Sequence, residues 1–258
     1  MPPWRSIVES SSRRRERQGV RTLVRHLNYR RAVYESYASV SGLSQPLESK
    51  YQALERNLAP LLASQRNRGT LLDIGSGQGE LLTLCRALGI DAEGVDLARE
   101  EVESCIQRGL NVTLIEDLAG YLAEVDRTWD VVSMIDVIEH FSKSEAFDLL
   151  LLVRGVLKPG GRVILQTPNM QSPFASLNLY HDLTHEWAYT EASIEQLLRA
   201  CGFRQIQTRP AVYPARGTYL LRSVLRGLLY TFVRLLLVVD QPNRGRVLTP
   251  NMIAVAEV

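Results

Sequence analysis

Three groups of residues in this 258-residue chain have types and spacings suited to chemistry. The first is a glycine-rich loop, Asp73-Ile-Gly-Ser-Gly-Gln-Gly79, set between an apolar run and an amphipathic one. Glycines at a strand-to-helix turn let backbone N–H groups and the positive helix end approach a ligand closely. The loop therefore reads as a nucleotide-binding turn lined by Asp73, Gly75, Ser76, Gly77 and Gly79. The dinucleotide fingerprint would place a further glycine at position 80, where this chain has Glu80. The second group sits at the ends of later strands. Asp96, with Leu97 beside it, follows the loop by about 20 residues, where a carboxylate can accept both ribose hydroxyls. Asp117 is placed to receive an adenine amino group with the Leu118 amide nearby, and Ile135 completes the lining. The third group is Asp136-Val-Ile-Glu139-His140 together with His181-Asp-Leu-Thr-His185. On a helical turn Asp136, Glu139 and His140 would stand at i, i+3 and i+4 and face one way.

Carboxylates and imidazoles without a thiolate make a hard-to-borderline donor set, compatible with magnesium or manganese. His140 is also able to act as a general base or to cap the turn, and His185 with Trp187 also reads as packing of a loop over a cleft. His140, His185 and Asp136 are the catalytic candidates. His26, among arginines near the N-terminus, reads as a surface residue.

The loop, with Asp two residues ahead of G-x-G-x-G, resembles the motif of class I methyltransferases. Asp96, Asp117 and Leu157-Lys-Pro-Gly-Gly161 extend that likeness over roughly residues 70 to 167. The resemblance implies S-adenosylmethionine as cofactor, whose ammonium and sulfonium suit the negative Asp73 better than a pyrophosphate would. The acidic and histidine turn resembles the metal site of small-RNA 3′-terminal 2′-O-methyltransferases and the corresponding turn of ubiquinone-biosynthesis O-methyltransferases. That likeness implies Asp136, Glu139, His140 and His185 as ligands, with Asp136 shorter than the Glu usual there. A further resemblance, over about residues 48 to 205, is to methyltransferases encoded with glycosyltransferases for bacterial surface polysaccharides. It rests on Gln166-Thr-Pro-Asn169, Tyr180-His-Asp-Leu-Thr-His185 and Cys201-Gly-Phe203. The usual Arg-Gly pair ahead of the cofactor domain is missing, and Ser49 and Lys50 occupy its neighbourhood.

These likenesses imply O-methylation of a sugar hydroxyl in a glycan, glycolipid or glycosylated metabolite. A quinone, phenol or other small metabolite is the alternative, and RNA 2′-O-methylation a further one. An alcohol resists deprotonation, so a bound divalent ion would help by stabilising the alkoxide.

The elements that must position these groups are legible as alternation. Runs at Thr70–Ile74, Ala92–Val95, Val112–Ile115, Val131–Ile135 and Arg162–Thr167 read as strands. Helical stretches at Gly79–Leu88, Arg99–Arg108 and Glu145–Val156 lie between them. Parallel strands need long crossovers that cover the sheet, so this pattern predicts a Rossmann-like α/β fold with helices on both faces. A helix over Glu191–Ala200 and strands at Phe203–Thr208 and Met252–Val258 complete a mostly parallel seven-stranded sheet. Residues 1 to 66 read as a helical extension of a 67–258 domain, with a break around Ser39–Pro46. Residues 168–190 form a polar, aromatic-rich segment too long for a plain connection, read as a substrate or lid segment. An amphipathic helix at 217–240 is inserted before the last strand, and both segments are expected to flank the acceptor pocket.

Composition narrows the classes. A net charge of +2 gives no general case for nucleic acid, but residues 1 to 31 hold nine Arg against Glu9 and Glu16. Such an arm can touch RNA, an anionic membrane or a partner subunit, or be a solvated helix. Cys85, Cys105 and Cys201 are widely spaced in apolar patterns, so neither a disulfide framework nor a zinc site is expected, and a reducing cytoplasm fits. The first 30 residues lack an apolar core segment of the secretory kind. In Tyr219–Val239, Arg222, Arg226 and Arg234 form a stripe at helical spacing, which opposes a membrane span. Peripheral contact with the inner face of an anionic membrane, or homodimer packing, is the expectation for that helix.

Overall fold

Alternation along each strand decides which face of the sheet a side chain covers, and the core follows it. In this computed structural model, which describes residues 47–212, 219–240 and 247–258, β1 spans Thr70–Ile74 and buries Leu71 on one face and Leu72 on the other. β4 (Trp129–Ile135) divides Val131 from Val132, and β5 (Leu157–Pro168) divides Ile164 from Val163. Strands apolar on both faces require cover on both, the condition of a parallel sheet in an α/β protein. The Arg-rich arm at 1–31, His26 and the expected break at 39–46 lie outside the described residues.

One face is covered by α1 (Leu47–Leu62), whose Leu58 and Leu62 are fully buried, and by α2 (Glu80–Ala87) with Leu81 and Leu84. α1 thus shares the core of β1 although it precedes position 67. The other face is covered by α5 (Lys143–Gly155) and, later in the chain, α7 (Glu191–Ala200). Both begin at a capping box, Ser142 with Glu145 and Thr190 with Ser193, which satisfies N–H groups the helix cannot pair internally. A smaller core of Leu82, Val102, Cys105, Leu110 and Val112 seats α3 (Arg99–Gln107) beside β2 (Asp91–Asp96) and β3 (Val112–Leu114). α4 (Leu118–Glu124) follows β3.

The sheet order is β3-β2-β1-β4-β5-β7-β6, with β6 at Arg204–Pro210 and β7 at Asn251–Glu257. β7 runs antiparallel to both β5 and β6, and the remaining neighbours are parallel. The expected seven-stranded, mainly parallel Rossmann-like sheet is therefore present, with the helix α8 (Tyr219–Asp240) inserted before β7. Strand order reverses between β1 and β4, and in open α/β sheets ligands bind at that crevice, outside the carboxyl strand ends. The segment after β5 holds a short helix, α6 (Ala175–Tyr180), and returns to the sheet through a bridge between Asn169 and Tyr189. In register, Pro168 lies opposite Asn251, which brings the first residue of β7 to the same edge.

Candidate active site

The glycine loop leaves β1 with its N–H groups turned toward β2: Gly75 and Ser76 donate to the Val95 carbonyl at 2.9 and 3.2 Å. Gly75 has φ +71, and a Cβ there would stand 2.5 Å from Val137 Cγ2, so only glycine fits. Above Gly77 there is open space: among the described residues nothing lies within 4 Å of where a Cβ would stand. Asp96 organises the rim: Oδ2 accepts from the Gly77 N–H at 2.7 Å and Oδ1 from the Ala98 N–H at 2.8 Å. Each oxygen keeps lone-pair capacity, so the expected ribose contact stays available. Leu97 beside it is 47% exposed, a large apolar side chain bare at the ligand edge of the sheet. Asp117 has a structural duty, capping α4 by accepting from the Ala119 N–H at 3.0 Å, and Leu118 and Ile135 are half-buried.

Under the loop the polar atoms are under-satisfied. Asp73 is 3% exposed and accepts from Ser133 Oγ at 2.8 Å. Burial pushes its carboxyl up to about 7; the Ser133 hydrogen bond opposes the rise, and nearby Glu80 and Asp96 add to it. Among the described residues Glu80 Oε1 and Ser76 Oγ are buried without hydrogen-bond partners, and Lys50 Nζ reaches Glu80 as an ion pair at 3.7 Å. A floor of buried carboxyls short of donors is what a ligand carrying an ammonium would complete. Lys50, from the first turn of α1, is a site residue that spacing alone did not reveal.

Across the crevice, the acidic and histidine turn does not form a helical face. Asp136 has φ +55, a left-handed conformation, and only Ile138–His140 form a 3-10 turn. The expected i, i+3, i+4 alignment of Asp136 with Glu139 and His140 is thereby broken. Asp136 is exposed to the cleft, with two side-chain amides against its carboxylate. Its carboxylate accepts from Gln166 Nε2 at 3.1 and 3.2 Å and from Asn251 Nδ2 at 3.0 Å. Enclosure raises its pKa to about 6, against the pull of those amides and of Lys50.

Glu139, His140 and His185 come together instead: one ligand atom from each lies within 4.8 Å of the others. Glu139 is 1% exposed; Oε2 accepts from Thr167 Oγ1 at 3.1 Å, whereas Oε1 is buried with no hydrogen-bond partner among the described residues. Burial, with Asp136 adding, holds its carboxyl well above the usual range. His185 is delivered by the 168–190 segment, which is tied down where the Glu186 and Trp187 N–H groups donate to the Glu139 carbonyl at 2.9 and 3.1 Å.

The ring orientations follow from the partners. The Thr184 hydroxyl donates to Asp182 Oδ1 at 2.6 Å, so its oxygen must accept from His140 Nδ1, 2.8 Å away. His185 Nδ1 lies 3.0 Å from the Leu179 carbonyl, which can only accept. Both rings are therefore held by a hydrogen bond at Nδ1. Burial lowers His140 to about 4, His185 adding, while Asp182 and the Thr184 and Asp136 carbonyls oppose. His185 is lowered too, chiefly by burial. His181, the other expected contributor, is exposed and stacks edge-on to His185 at 5.6 Å between centroids. Trp187 packs under Lys143 Nζ at 3.8 Å from its ring centroid. Tyr189, whose buried hydroxyl lacks a hydrogen-bond partner among the described residues, is a site residue that the spacing does not reveal.

Residues 47–208, more than half of the chain, match the family described as Methyltransferase domain. Ubiquinone biosynthesis O-methyltransferase of Roseobacter denitrificans is 30% identical over 158 residues, 55% of this chain and 63% of that protein. Its counterpart of the same description in Proteus mirabilis is 27% identical over 156 residues, 56% of this chain and 62% of that protein. The chain thus spans somewhat less than two thirds of these relatives. Among solved structures, a SAM dependent methyltransferase from Archaeoglobus fulgidus superposes with a TM-score of 0.61 at 22% identity, covering 81% of this chain and 94% of that one.

Proposed function

Since this chain belongs to the methyltransferase-domain family, we propose that it transfers the methyl group of S-adenosylmethionine to a hydroxyl oxygen of a small acceptor, a quinone-related phenol. The observation that carries the reading is the meeting of two halves at one sheet edge: the glycine loop with its donor-poor carboxyls, and the carboxylate and imidazole groups that follow β4. Asp73 takes the cofactor's ammonium, Asp96 its ribose hydroxyls, and the open space over Gly77 its bulk.

In methyl transfer the acceptor oxygen bonds to the methyl carbon as the S–C bond breaks, and the acceptor proton must leave. Asp136 is the group placed to receive it, because it faces the cleft, is fixed by Gln166 and Asn251, and titrates near neutral pH. Glu139, His140 and His185 are too enclosed for that exchange, and they fit a divalent cation. Glu139 keeps a carboxylate oxygen without a hydrogen-bond partner among the described residues, and Glu139 and the two imidazoles each offer a ligand atom within 4.8 Å of the others. When bound, such a cation would supply Lewis acidity to a hydroxyl of the acceptor. Asp136, the fourth ligand implied by resemblance, stands outside this trio.

The relatives' descriptions name ubiquinone biosynthesis, which moves the phenolic acceptor ahead of the sugar suggested by the polysaccharide-locus likeness. A sugar diol is the second reading, favoured by the exposed rings of Phe174, Tyr180 and Trp187 along the 168–190 segment, which offer stacking surfaces. An RNA acceptor would rest on the arm at 1–31, outside the described residues. The deciding experiment supplies S-adenosylmethionine labelled in the methyl group with vicinal phenols, diol sugars and short RNAs, with and without chelator. Label is expected in the phenols, with loss on chelation. Calorimetry that gives no heat with the cofactor or its demethylated product, on folded protein, overturns the whole reading.

A further inference from the structure

Among the described residues α8 leaves its apolar side bare. Leu221, Leu228, Phe232, Leu235 and Val239 are 59–87% exposed, and Leu225 and Leu236 are 56% and 53% exposed. At about 100° per residue these seven side chains fall within about 100° of arc, one continuous face of the helix. The opposite side is different: Leu229, Tyr230, Val233 and Leu237 are half-buried, and Arg222, Arg226 and Arg234 lie from the edge of the bare face around that side. A helix of 22 residues is about 33 Å long, so the bare face is far larger than the scattered apolar side chains of an ordinary surface.

Charge selects what covers it. Between Tyr219 and Val239 the helix holds three arginines and no carboxylate; its acid, Asp240, is the last residue. A second copy of the helix would bring more arginine and nothing to neutralise it, whereas a plane of lipid phosphates neutralises the cations while the acyl boundary takes the apolar face. No helix among the described residues is long and apolar enough to cross a membrane, so burial of this face calls for lying in the interface and not through it. We propose that α8 docks the protein in the plane of an anionic bilayer, with Leu221, Leu225, Leu228, Phe232 and Leu235 inserted at the acyl boundary and Arg222 and Arg226 at the phosphates. An enzyme held this way collects an acceptor that is itself lipid-anchored, a chemistry open to either acceptor class considered above.

Vesicle sedimentation with the full chain tests this without turnover, so its failure leaves the catalytic reading untouched. Vesicles of phosphatidylglycerol and phosphatidylcholine in equal parts should retain the protein at low salt, and phosphatidylcholine alone much less. Arg222→Glu with Arg226→Glu should weaken partition at least about tenfold, since each basic residue near the phosphates adds to binding. Leu228→Glu with Phe232→Glu should abolish it even on anionic vesicles; both side chains face solvent, and an unchanged circular dichroism melt confirms folding. Failure of the native chain to sediment with anionic vesicles at low salt overturns the proposal. So does a native dimer in light scattering that the Leu228→Glu, Phe232→Glu protein loses while vesicle binding stays as it was.

Discussion

Lowering the pH should weaken cofactor binding in a way set by one carboxyl. Asp73 is 3% exposed and burial holds it at about 7, so below that pH the ligand-free site carries a proton where an ammonium must sit. Binding then requires the proton to leave, and the apparent Kd should rise about tenfold for each pH unit below 7. At pH 5 about 1% of sites are ionised, a loss near 2.7 kcal/mol. The same shift speaks to stability, with a definite sign. The folded carboxyl titrates at about 7 and its ordinary value is 3.8, so between them the native state holds the extra proton. Ligand-free stability therefore falls as pH rises from about 4 to 7, by up to about 4 kcal/mol from this group. The cofactor's ammonium offsets that cost, so the ligand-induced gain in Tm should grow over the same interval. Calorimetric titration in two buffers of different ionisation enthalpy reads both the Kd and the proton released, expected near one per ligand at pH 5 to 6. Ser133→Ala removes a hydrogen bond that favours the ionised form, so its inflection should move to higher pH. A Kd constant within about twofold from pH 5 to 7.5, with no proton release, would refute the assignment of Asp73 to the ammonium.

Asp136→Asn keeps the shape of the cleft and should lower turnover by about 10²–10⁴ with cofactor Kd unchanged, as measured by single-turnover kinetics. Thr184→Val removes the hydroxyl that holds His140 at Nδ1 and should cut cation affinity about 10–100-fold by competition with a chelator, with Thr184→Ser restoring it. Gly75→Ala meets Val137 Cγ2 at 2.5 Å with φ +71 and should destabilise the fold by about 1–3 kcal/mol in thermal melts, part of which Val137→Ala recovers.

Local rules made most of the sheet legible. β1 matches its apolar run end to end, and the helix Glu191–Ala200 its periodicity, because each is decided by the face it buries. Where sequence reading fell short, a local signal pointed elsewhere. β5 begins at Leu157, five residues before the expected Arg162, since Lys158-Pro-Gly-Gly161 has the composition of a turn yet continues the strand, with a register shift opposite Trp129 and Val131. α4 is only seven residues long, and the Asp that announces it had been given to the ligand. Asp136 illustrates the limit of spacing: three residues at helical intervals imply a shared face only if the backbone is helical, and φ +55 at the first removes the premise.

The site itself depends on contacts that no spacing records. Lys50 and Asn251 stand at opposite ends of the described chain; α1 brings one to Glu80, and pairing of β7 with β5 brings the other to Asp136. The pattern Tyr180-His-Asp-Leu-Thr-His185 shows how such a segment works once placed. His185 brings a ring nitrogen within 4.8 Å of ligand atoms of Glu139 and His140, while Thr184, itself bonded to Asp182, holds His140 at Nδ1. Backbone bonds to the Glu139 carbonyl clamp the same segment beside the turn it completes. Residues three positions apart thus act on two imidazoles 4.9 Å apart, one as a donor and one as an orienting group, and the pair cannot be assembled unless the segment closes over the end of β4.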